Sequence, residues 1–172
     1  MSIKIIANSQ MGNFSRCEFL DKDEKVLYYT KTILDKNHSK TEIFNNKDQL
    51  VSGISYEFKQ SKIDSLILKL NDKEIPLLVE GNVIKSEDLG ISLKTGSKFG
   101  FLNLNFDLRL GNISVMKAIA KSFIRQWLTC KYSMEVLDEN QVEFCISMMT
   151  ILFIVLADEA ISSERNYMGN FS

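Results

Sequence analysis

Proline and histidine are almost missing from this chain, with one of each among 172 residues. With Pro76 alone there is no proline-rich linker or stiff spacer. The single histidine, His38, lies in Asp35-Lys36-Asn37-His38-Ser39-Lys40, which reads as a solvated turn. A general base needs a positioned partner, and that turn supplies none. The 8 glycines are scattered, and Gly90, Gly96 and Gly100 form no phosphate-cradling loop ahead of a helix. The 3 cysteines, Cys17, Cys130 and Cys145, sit in apolar surroundings without metal-type or redox-type neighbours, so they read as buried free thiols of a reducing cytosol. Charge of one sign is also lacking. A net charge of −1 excludes bulk attraction to nucleic acid or to an anionic membrane, and leaves electrostatic binding to a local patch. The opening residues, Met1-Ser2-Ile3-Lys4-Ile5-Ile6-Ala7-Asn8, lack the apolar core of a secretory signal, so a cytoplasmic location is expected.

Enzymatic readings therefore fail early, and no catalytic residue, cofactor or metal is expected. The acidic turns Asp21-Lys22-Asp23-Glu24 and Asn71-Asp72-Lys73-Glu74 have oxygen ligands for calcium, but their interleaved lysines oppose a cation. Hairpin loops explain both better.

What is present is a strong fold signal. From Phe144 to Ala157 no side chain is charged, and Asp158 and Glu159 end the run abruptly. A helix apolar on every side must be buried, in protein or in lipid. This run is shorter than the roughly 20 residues of a membrane span and close to the ~10–14 of a core helix. Asp138 is a good N-cap for it, with Gln141 in the capping-box position, which predicts a helix over about 138–160.

Upstream, one phrase recurs: an apolar strand, a turn rich in Asp, Asn and Lys, then another apolar strand. It runs over Phe19 to Tyr29, Ile43 to Val51 and Leu68 to Leu78. Strand character is clearest from Leu102 to Leu110, where apolar and polar residues alternate strictly. An antiparallel meander with one face inward follows, and closing such a sheet removes its exposed edges. Thr129 to Leu137 also alternates and reads as a strand. Val115 to Trp127 does not fit the scheme. On propensity it reads as helix, with Met116, Ala120, Phe123 and Trp127 on one face.

Three elements near the end carry a resemblance. Gly111-Asn112-Ile113-Ser114-Val115 opens a strand pair, Tyr132 to Leu137 closes it, and the apolar helix ending Leu156-Ala157-Asp158-Glu159 follows. This order is similar to the C-terminal part of the tubby-like superfamily, nearest its LURP-one-related and phospholipid-scramblase-like branches. The resemblance is best over Gly111 to Ala160, and looser before it. It implies a mainly β fold: a closed antiparallel barrel of about twelve strands around one buried hydrophobic C-terminal helix. It also implies strand over Ile113 to Lys121, against propensity, since tertiary burial overrides a weak intrinsic preference. Scramblases carry a proline-rich N-terminal region, an acylated cysteine cluster and a calcium loop before the last strand. None is visible here, and Phe123 to Thr129 has no acidic ligand.

The expected organisation is one domain over 1–162, with a flexible tail over 163–172. The expected function is that of a non-enzymatic binding module. Lys117, Lys121 and Arg125 are spaced by four, which groups them on one face of a strand and nearly one face of a helix. Trp127 is close by, and an indole beside basic residues suits a membrane interface. These four residues are the candidate site for anionic phospholipid headgroups at a membrane surface. The competing reading is a solvated outer face on a protein-interaction or structural module, with a protein partner and no lipid role. Nucleic acid is not an expected partner, because it calls for a strongly basic face with interleaved aromatics.

Overall fold

Alternation of apolar and polar residues, broken by turns of Asp and Asn, produces twelve strands. In the computed structural model these are β1 (Ser2–Gln10), β2 (Asn13–Leu20), β3 (Val26–Ile33), β4 (His38–Asn45), β5 (Leu50–Lys59), β6 (Lys62–Leu70), β7 (Lys73–Glu80), β8 (Val83–Ser86), β9 (Ile91–Lys94), β10 (Asn105–Leu110), β11 (Ile113–Ile124) and β12 (Thr129–Val136). A short 3-10 turn, Glu139–Gln141, leads into the single helix α1 (Val142–Met168). The structure describes residues 1–10, 13–35, 38–59, 62–80, 83–86, 90–94, 105–124 and 129–168.

The protein is mainly β, an antiparallel sheet with the C-terminal helix packed against it. Each strand pairs with the next in sequence, and β1 is bonded to β12 on one side and to β2 on the other. Ser2 lies opposite Glu135 and Ile5 opposite Tyr132, while on its other side Ile5 faces Phe19.

The three recurrent phrases are hairpins, as their turn residues require. Asp21 Oδ1 accepts from the amides of Asp23 and Lys25 at 2.8 and 2.9 Å, with Glu24 at φ 63°. Asn45 repeats that arrangement, accepting from Lys47 and Gln49 at 3.0 Å each, with Asp48 at φ 59°. The third turn is only Asn71-Asp72, and both residues have positive φ, 50° and 60°. That is the two-residue connection whose twist matches the flanking strands.

The inner face of the sheet is apolar: Ile3, Ile5, Phe19, Ile43, Ile54, Leu66, Leu68, Ile84, Phe106 and Leu108 are all buried. Against it lies α1, on which every residue from Phe144 to Val155 is buried. Burial thus covers the whole circumference of the helix over about three turns. Phe153 packs at a tilt against Tyr132, ring centres 5.1 Å apart, and Tyr132 likewise against Phe106 at 6.1 Å, so an aromatic ladder ties helix to sheet. The two polar side chains in the buried stretch are satisfied. Ser147 Oγ meets Ser52 Oγ at 2.7 Å and donates to the Glu143 carbonyl at 2.8 Å; Thr150 donates to the Ile146 carbonyl at 2.9 Å. The helix is long and apolar enough to cross a membrane, but 72% of its most hydrophobic window is buried within the protein.

The strand expected over Ile113 to Lys121 is present, because β11 runs from Ile113 to Ile124 against the segment's helical propensity; Arg125 to Trp127 lie outside the described residues. Strand pairing at both edges outweighs a modest helix preference. The helix α1 runs to Met168, beyond the expected tail boundary at 163. Asp158 and Glu159 therefore lie inside the helix and do not mark its end.

Candidate functional site

Of the four residues of the basic stripe, only Lys117 has a described side chain. It is exposed on the outer face of β11. Its cross-strand partners are both acidic: Asp107 on β10 and Glu135 on β12. Opposite charges placed directly across a strand pair attract. Asp107 is itself engaged. It accepts a short hydrogen bond from the Ser114 hydroxyl and another from Arg109 Nε at 2.9 Å. The Ser114 bond, then Arg109 and Lys117, hold its carboxyl below the usual value despite some desolvation. Lys117 thus sits between two carboxylates.

Lys121 also lies on β11, with its side chain outside the described part. The register with β12 shifts between Ala120 and Ser122, a bulge at Lys121. Arg125 and Trp127 lie outside the described residues.

Other charged side chains on the outer surface pair in the same local manner. Lys4 reaches Glu24 at 3.1 Å, Arg16 reaches Glu18 at 2.7 Å, and Lys40 reaches Glu42 at 2.7 Å. His38 opens β4 instead of lying in a turn, with Nδ1 3.0 Å from Glu57 on β5. All these pairs are exposed and add little stability. Tyr29 stacks on Phe44 at 5.5 Å, and Lys31 lies 4.6 Å from the Phe44 ring centre.

Cys17 and Cys145 are both buried. Burial, with a smaller contribution from Asp138, pushes the Cys145 thiol up to about 12, so it stays protonated and poorly nucleophilic at neutral pH. Among the described residues no three His, Cys, Asp or Glu side chains form a group fit to hold a metal.

A concave feature lies elsewhere, at the end of the sheet where the helix begins. It is a cleft of about 530 Å³ assembled from the start of β3, the β4–β5 hairpin and the first turns after β12. Leu27, Tyr28 and Val142 line it, each half-buried. Lys47 stands on the hairpin side, and Glu139 and Glu143 on the helix side. Asp138 caps this turn by accepting from the Asn140 amide at 3.0 Å. The Met1 amino group donates to the Val136 carbonyl at 2.7 Å and lies 3.9 Å from Glu139. Among the described residues no cation pairs with Glu143. Burial and the Glu143 charge together raise the Tyr28 phenol above its ordinary value. Exposed Val26 and Leu50 flank the cleft in sequence, next to its lining residues Leu27 and Gln49.

Sequence reasoning missed this cleft. Its lining comes from hairpin residues and helix-capping acids about a hundred positions apart, each with an ordinary local role. Only the sheet's order brings them to one end.

No family model matches the chain, and neither does any curated protein or solved structure.

Proposed function

We propose that this protein is a cytoplasmic, non-enzymatic binding module built on a tubby-like barrel of twelve strands closed around α1, and that it binds a protein partner. The pairing of β1 with both β12 and β2 supports the closed form. The burial of every residue from Phe144 to Val155 carries the functional reading. A barrel that encloses a ligand keeps its interior open. Here the interior is spent on a helix, which leaves recognition to the outer face and the ends. Fold likeness alone would not choose among binding functions.

The alternative is a peripheral membrane module that holds anionic phospholipid headgroups on Lys117, Lys121, Arg125 and Trp127. The carboxylates of Asp107 and Glu135 on either side of Lys117 weigh against it, because they offset the field that would attract an anion. Co-sedimentation with phosphatidylcholine vesicles, with and without phosphatidylserine, separates the two. A protein-binding module is expected to stay in the supernatant with both vesicle types, at low and at high salt. Sedimentation that requires phosphatidylserine, weakens with salt and is lost when Lys117, Lys121 and Arg125 are all changed to Glu would replace this reading with the lipid one.

A further inference from the structure

We propose that the cleft at the helix-entry end seats a lysine or arginine side chain of the protein partner, held between the Glu143 carboxylate and the Tyr28 ring. The inference rests on the protein-interaction reading and names the partner's chemistry.

Three observations converge on it. First, Glu143 is an exposed carboxylate for which no described cation provides a partner, although it lines a concave site. The helix dipole favours an acid in the first turn of α1, but that preference does not require one in a cleft. Second, the lining includes Leu27, Tyr28 and Val142, all half-buried, so a cation entering beside them sheds part of its water and is held more strongly than on the open surface. Burial first, and the Glu143 charge second, raise the Tyr28 phenol, in keeping with the two side chains lining the same cleft. Third, a carboxylate beside an aromatic ring suits an ammonium or guanidinium group, which the charge and the ring quadrupole both attract. Val26 at 36% and Leu50 at 58% exposure provide apolar contacts for the residues flanking that cation. Half-buried aromatics with apolar surroundings and a polar rim are the usual make-up of an interface centre. Lys47, on the opposite side, disfavours a second cation and so sets the direction in which the partner lies.

The test uses the whole chain and a fluorescent short peptide of alternating lysine and leucine, followed by anisotropy. A glutamine–leucine peptide provides the comparison. The lysine peptide should bind at least about tenfold more tightly than the glutamine peptide, and Glu143→Gln should remove most of that difference. Lys117→Glu, on the outer face, should leave the binding unchanged. A second variant tests the ring: Tyr28→Leu should weaken lysine-peptide binding and leave glutamine-peptide binding unchanged, since it removes the aromatic face against which the cation rests. Equal binding of the two peptides, or lysine-peptide binding that survives Glu143→Gln, would overturn this site while leaving a protein-binding module standing. Vesicle binding of the kind described above would overturn the protein reading itself.

Discussion

Replacing Ile151 with aspartate is expected to leave no folded domain. Ile151 is fully buried, and so are Thr150 and Leu152 beside it, so no rotation of the helix carries a carboxylate to water. An unpaired charge in such a place costs far more than a surface substitution, even if the group neutralises by taking up a proton. The total stability of a domain is only about 5–15 kcal/mol. Near-ultraviolet circular dichroism and thermal melting should show the loss of tertiary signal and of a cooperative transition. Ile151→Val is the control, with an expected cost of about 0.5–1.5 kcal/mol. A soluble, cooperatively folding Ile151→Asp protein would show that α1 is peripheral.

The second large effect is expected at Phe106. Its ring is buried at 2% exposure and heads the ladder through Tyr132 to Phe153 on the helix. Phe106→Ala removes a large apolar volume and leaves a cavity that the paired strands around it cannot collapse to fill. The expected loss is about 3–5 kcal/mol. For a chain of this size, that lowers the melting temperature by on the order of 10 °C. Denaturant unfolding should show the midpoint falling with the slope unchanged, as for a change in stability without a change in the surface exposed. A loss no greater than that of an ordinary surface substitution, within about 0.5 kcal/mol, would mean that the ladder does not couple helix to sheet.

The legible part of the fold was its period and its punctuation. Of the alternating run from Leu102 to Leu110, the part in β10, Asn105 to Leu110, alternates because one face is inside: Phe106 and Leu108 are buried. Asp21, Asn45 and Asn71 stood out because their side chains bond the turn backbone or tolerate positive φ, and the structure uses both properties. The final helix was legible because no side chain from Phe144 to Ala157 is charged.

The segment that misled on propensity did so for a structural reason. On β10, Leu108 faces Met116 and Arg109 faces Ser114, so Val115 is an extra residue. Val115 and Met116 are consequently both buried, which breaks the period of two. The second bulge, at Lys121, breaks it again on the β12 side. Two bulges in one strand leave an apolar spacing that mimics a helix.

The candidate site was less legible than the fold. Spacing in one strand identified Lys117, but the acids on either side of it come from β10 and β12, and their register is not a property of the segment itself. The cleft was harder still. Tyr28 and Glu143 are an interior strand residue and a helix-start acid until the sheet's order sets them at one end.

The enclosed helix is the central claim, and native-state hydrogen exchange of its amides tests it most directly. If the sheet surrounds α1, the amides from Cys145 to Val155 should exchange only through global unfolding. Their opening free energies should then equal the stability found by denaturant, and match those of β1 and β12. If the helix amides instead exchange through a cheaper local opening while β1 and β12 stay protected, the helix leaves an intact sheet, and it is not the core of this fold.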